Sequence, residues 1–107
     1  MREVDLATFA TAHAEDAVVI DVREPNEYVA GHVPGAQLVP LSQLPHHTAE
    51  LPRDTPIYVI CAAGFRSLTA VEYLSTVGVT AYSVAGGTGA WAQSGRPIVQ
   101  GEAARAE

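Results

Sequence analysis

Apolar residues in this chain gather in short runs separated by turn residues. Ala17-Val-Val-Ile-Asp21 and Ile57-Tyr-Val-Ile-Cys61 are continuous apolar stretches. Runs of that length are typical of strands buried on both faces of a parallel sheet. Ala36-Gln-Leu-Val39 and Ala81-Tyr-Ser-Val84 are weaker versions. Between them the spacing turns helical. Leu6, Phe9 and Ala10 share one face of a helix that Asp5 can cap. Asn26 predicts the cap of a short turn through Tyr28 and Val29, ended by Gly31. Ser42 opens another, which Pro45 holds to an early-turn arrangement. Ser67 to Val77 is the clearest helix, with Leu68, Val71, Tyr73, Leu74 and Val77 near helical spacing and Gly78 as its stop. A last short helix runs from about Thr88 to Gln93. Strands alternating with helices predict an α/β fold, a mainly parallel sheet with helices on both faces. Ligands of such sheets sit beyond the carboxyl ends of the strands. The domain is expected over residues 1–99, with 100–107 a flexible, solvated C-terminal tail.

Composition narrows the possible functions. A length of 107 residues allows one core, and 48% hydrophobic residues predict that it folds. The formal charge is −6, with six Arg and no Lys, which argues against a nucleic-acid partner or an anionic membrane surface. No apolar run has membrane-spanning length. The start, Met-Arg-Glu-Val-Asp, lacks the apolar stretch of a signal peptide, so a cytoplasmic setting is expected. Cys61 is the single cysteine, which excludes an internal disulfide and a thiolate-rich metal site.

That thiol ends the strongest predicted strand, and the loop Ala62-Ala63-Gly64-Phe65-Arg66 leads to the helix at Ser67. By itself, a cysteine at the end of a buried strand is often a small inert core residue. The loop changes that reading. A short strand–loop–helix turn directs backbone N–H groups inward and backs them with a helix N-terminus, a nest for negative charge. A thiolate there has a lowered pKa and serves as a nucleophile. Gly64 allows a backbone conformation that a side chain would hinder. Arg66 adds a forked cation for an oxyanion, and Ser67 either caps the helix or donates a further hydrogen bond.

Cys61-Ala-Ala-Gly-Phe-Arg-Ser67 resembles the active-site loop of single-domain rhodaneses, the sulfurtransferases. Two more segments agree. Asp21-Val-Arg-Glu24 with Glu27-Tyr28 and Gly31-His-Val-Pro-Gly-Ala36 is similar to the family's first signature. Gly86-Gly87, Ala90-Trp91 and Gly95-Arg-Pro97 are similar to its second. Together they span nearly the whole chain in the family order. One departure is Leu38, where the family often carries Asn or His. The resemblance implies a rhodanese-like three-layer fold with a sheet of about five strands. It implies transfer of a sulfane sulfur from thiosulfate or a persulfide donor, through a Cys61 persulfide, to cyanide, a small thiol or a protein acceptor. The N–H groups of Ala62 through Ser67 would surround the terminal sulfur, and no cofactor or metal is called for. The cell-cycle dual-specificity phosphatases share this fold, but their Cys–Arg loop is one residue longer, wide enough for a phosphoryl group. Here four residues separate Cys61 from Arg66, and the loop has no Asp to protonate a leaving group. The alternative of a different class is a noncatalytic rhodanese-like binding or redox-regulatory module. Such members commonly lack the cysteine, which this chain keeps.

The remaining polar residues read more plainly. Asp21 and Arg23 form a charge pair that fixes the loop after the first strand; the alternative sets Arg23 at the substrate entrance. Glu27 reads as solvated or structural rather than as a general base. His32, by the same resemblance, has a structural turn role, its ring bonded to backbone. Gly86-Gly87 bring a backbone turn close to the Cys61 loop and shape the pocket. The adjacent pair His46-His47 does not face one way on a helix and reads as surface. His13 ends a helix, where a cation is favoured. Trp91 and Phe9 belong to the core. Phe65 is either an exposed lip or folded back onto the core.

Overall fold

The computed structural model describes residues 2–106. Five parallel strands form one sheet in the order β1-β5-β4-β2-β3. They are β1 (Glu3–Val4), β2 (Val18–Asp21), β3 (Gln37–Leu38), β4 (Ile57–Ile60) and β5 (Ala81–Val84). The helices are α1 (Leu6–Ala14), α2 (Pro25–Ala30), α3 (Arg66–Thr76) and α4 (Gly87–Gln93). Two 3₁₀ turns, Leu41–His46 and Thr48–Glu50, precede β4.

The two apolar runs become the neighbouring central strands β2 and β4, paired from Val18↔Ile57 to Asp21↔Ile60. Alternate side chains along them feed two cores. Ile20, Ile57, Val59 and Cys61 pack with Ala70, Val71 and Leu74 of α3 on one face. Val19, Ile60 and Val84 pack with Phe9 of α1, Tyr28 of α2 and Trp91 of α4 on the other. Burial on both faces explains why these strands are apolar without alternation. Leu38, the departure from the family pattern, packs against the second core.

Several boundaries move from the expected ones. Glu24, not Asn26, is the N-cap of α2, in a reciprocal capping box with Glu27 and with Pro25 in the first turn. A Pro at the first helical position and a carboxylate three residues past the cap together outcompete an Asn already inside the turn. Asp5 caps α1, its carboxylate accepting from the Thr8 N–H at 2.8 Å. The 3₁₀ turn starts at Leu41 and contains Pro45. Strand β1 has no counterpart in the hydrophobic pattern: two residues are too few to show a period.

The segment after Gln100 lies against the end of α2 and the loop that follows it. The Gly101 N–H donates to Val29 O, and the Gly35 N–H to Ala104 O at 2.8 Å. His32, fully buried, bridges the two parts: Nδ1 lies 2.7 Å from Tyr28 O and Nε2 2.8 Å from Ala103 O. Its ring stacks on Tyr28 with centroids 3.6 Å apart.

Candidate active site

Connections leave β2 toward β3 on one side and β4 toward β5 on the other. The loops after β2 and β4 therefore face each other across the crevice where the strand order reverses, the place where open α/β sheets bind ligands. Cys61 is the first residue after β4 and is 1% exposed. The chain then curls round its sulfur. Gly64, at φ +105°, turns its N–H back to donate to Sγ at 3.1 Å. The Ser67 N–H, in the first turn of α3, donates to Sγ at 3.4 Å, and the Ser67 hydroxyl lies 3.3 Å from it. Burial pushes the Cys61 thiol up and is the largest single influence. The hydrogen bonds from the Ser67 hydroxyl and from the Ser67, Gly64 and Ala63 N–H groups together outweigh it, and the thiol lies below its ordinary value.

Ser67 is not the helix cap. The cap position is Phe65, which makes no side-chain cap bond, and the Ser67 hydroxyl turns to Cys61 and to Ser83 on β5, 2.7 Å away. Phe65 is 77% exposed, so of its two readings the structure shows the outward one. Ala62, in the same loop, lies with Arg23, Glu27, Thr88, Gly89 and Ile98 around a cleft of about 380 Å³.

Arg66 does not stand free over the loop. Both ends of its guanidinium donate to Glu27, at 2.7 and 2.9 Å. The hydrogen bond from Arg66 holds the Glu27 carboxyl down to about 2, and the same partner raises Arg66. Thus α2 and α3 are clamped across the crevice. A second, buried pair braces α2. Arg23 donates to Asp21 through Nε and Nη2, and its Nη2 also donates to Gly31 O at 2.7 Å. One guanidinium thereby ties the end of β2 to the end of α2. Arg23, which also borders the cleft, is 6% exposed.

Gly86 and Gly87 set α4 against the loop from the far side, both at positive φ. The Thr88 N–H donates to Cys61 O at 2.8 Å and the Gly89 N–H to Ala62 O at 3.0 Å. A Cβ on Gly87 would lie 2.3 Å from Cys61 O, so this approach requires glycine. Away from the site, His47 faces Glu50 at 3.3 Å, and His13 sits 2.7 Å from Pro34 O. No group of three or more His, Cys, Asp or Glu side chains among the described residues could hold a metal ion. No helix among them is long and apolar enough to cross a membrane.

Glu27 as the partner of Arg66, and Ser83 as the partner of Ser67, did not emerge from the sequence. The Glu27 pairing spans 39 positions and leaves no local trace. Ser83 left a faint one: a serine inside an otherwise apolar strand.

The rhodanese-like domain family matches residues 7–94. A protein named sulfurtransferase from Allochromatium vinosum is 36% identical over 95% of this chain and 98% of its own length. The thiosulfate sulfurtransferase GlpE of Pseudoalteromonas translucida is 40% identical over 72% of this chain and 74% of its own. The crystal structure of a rhodanese-related protein from Thermoplasma volcanium superimposes with a TM-score of 0.85 at 36% identity, covering 92% of this chain and 98% of that one. With its five-stranded parallel sheet and a cysteine cradled after the central strand, this chain belongs to the rhodanese-like domain family, whose relatives at this level of identity include named sulfurtransferases.

Proposed function

We propose that this protein is a sulfurtransferase that carries sulfane sulfur on Cys61. The observation that carries the reading is the cradle itself: a buried sulfur receiving two backbone N–H groups, with the Ser67 hydroxyl 3.3 Å away, at the N-terminus of α3. An inert core cysteine has no use for such a cradle. In the first half-reaction the Cys61 thiolate attacks the outer sulfur of thiosulfate or of a persulfide. A new S–S bond forms, the old bond to that sulfur breaks, and sulfite or a thiolate leaves with the electron pair. The product, Cys61–S–S⁻, carries its charge on the outer sulfur, where the loop N–H groups favour an anion. In the second half-reaction cyanide, a small thiol or a protein thiol attacks that outer sulfur, and the Cys61 thiolate leaves. Electrons balance within the two steps, so no cofactor is needed. With no second cysteine, the sulfur must depart to an external acceptor.

Arg66 contributes through its position. Its charge is largely matched by Glu27, so the pair fixes the mouth of the loop and its residual field favours an approaching anion. The cleft beside Ala62 borders the loop, and the exposed Phe65 side chain stands on the loop itself. A cytoplasmic setting suits a thiol that must stay reduced between turnovers. Retention of Cys61 with a complete cradle supports catalysis over a binding module. The test is thiocyanate formation from thiosulfate and cyanide: the wild type should form it, and Cys61→Ser should not. Turnover surviving in that variant would refute the mechanism.

A further inference from the structure

We propose that Ser83 is a positioning residue: through Ser67 it fixes the hydroxyl proton that Ser67 presents to the Cys61 sulfur. The three side chains form a chain running in from β5. Ser83 Oγ lies 2.7 Å from Ser67 Oγ, which lies 3.3 Å from Cys61 Sγ. Ser67 and Ser83 are fully buried, and Cys61 is 1% exposed, so solvent does not supply alternative partners. Ser83 occupies the same face of β5 as Ala81, toward α3, in register with Val59 of β4. It is a hydroxyl where the strand otherwise presents apolar side chains.

The direction of the chain follows from counting protons. A hydroxyl has one proton to donate, and a thiolate only accepts. When Cys61 is ionised, Ser67 must donate to it and can meet Ser83 only as an acceptor. Ser83 must then donate to Ser67, and its hydroxyl has no other partner among the described residues. Ionisation therefore orders both hydroxyls toward the sulfur, and each bond polarises the next. Without Ser83, the Ser67 hydroxyl loses the neighbour that holds it in this rotamer.

This inference rests on the reading of Cys61 as a thiolate nucleophile and assigns a step to the chain. Once the persulfide forms, the charge sits on the outer sulfur and Sγ becomes a neutral bridging atom. When the acceptor attacks, the bond between the two sulfurs breaks and its electron pair returns to Sγ, beside the Ser67 hydroxyl. Ser83 thus supports the ionised fraction before loading and the departing thiolate during unloading.

The test is the rate of iodoacetamide alkylation of Cys61 in the full chain, followed against pH. Ser83→Ala should move the profile to higher pH and slow alkylation below its midpoint about threefold; Ser67→Ala should slow it about tenfold. Adding Ser83→Ala to Ser67→Ala should change nothing further, and Ser83→Thr should restore the profile. The charged groups about the site, Arg66 with Glu27 and Asp21 with Arg23, are the same in every variant. If Ser83→Ala fails to fold, Ser83→Thr against Ser83→Val makes the same comparison of hydroxyl with methyl. An unmoved Ser83→Ala profile, or an equal shift in the Ser67→Ala background, would overturn the proposal. Alkylation reads the thiol without sulfur transfer. A wild type that alkylates as expected but never gains sulfur would count against the sulfurtransferase reading instead.

Discussion

Glu27 and Arg66 show how a single pair can hold a site together. The carboxyl is held at about 2 against an ordinary value of 4.5. A depressed carboxylate contributes stability that is fully present above the unfolded value and lost as pH falls through the folded one. The pair is partly exposed, so solvent limits its contribution to about 1 kcal/mol. Glu27→Gln should accordingly lower the melting temperature by about 4 °C at neutral pH. The difference should shrink between pH 4.5 and about 2 and vanish below it. Melting curves of both proteins across that range check this; a gap that persists at the acid end would locate the effect elsewhere. Nothing local in the sequence pairs these residues, because they meet only when β2 and β4 lie side by side. The Asp21–Arg23 pair was legible because its members stand two positions apart at a strand end.

Among the elements, the β4–loop–α3 unit is written most openly in the chain. A continuous apolar run, a glycine, an arginine, a serine and a regular helix follow one another, and each makes the next easier to place. The turn into α4 depends on less visible detail. Gly87 sits at φ +59°, and any side chain would drive into the carbonyls of Cys61 and Ala62. Gly87→Ala should therefore cost about 2 kcal/mol or more, combining backbone strain with a displaced loop. Sulfur transfer should fall further than stability does, because Thr88 and Gly89 position the loop's own carbonyls. Chemical denaturation beside the thiocyanate assay separates the two effects; unchanged activity would show that α4 does not set the loop. Where elements were misread, the cause was short range. A two-residue strand carries no periodicity, and a proline with a capping box shifted the start of α2 by two residues.

At the scale of the whole molecule, the end of the chain behaves as part of the body. Polar, alanine-rich composition reads as solvated, yet backbone groups at Gly101, Ala103 and Ala104 meet partners at the end of α2 and in the loop that follows it. Composition describes side chains, whereas these contacts use only main-chain atoms and the His32 ring, so the pattern concealed them. Deleting residues 100–107 should uncover His32 and remove four hydrogen bonds, those at Gly101, Ala103 and Ala104 and the one from the Gln100 side chain to Ala30 O. A melting temperature lower by several degrees is expected. An unchanged melting temperature would show that the segment rests on the body without supporting it. The central claim, that Cys61 carries sulfane sulfur, is tested most directly by intact mass. The purified protein would be weighed before and after thiosulfate, and again after cyanide. The account predicts a gain of one sulfur atom, removed by cyanide and absent from Cys61→Ser. No added mass, with thiosulfate or with a small-thiol persulfide, would contradict it.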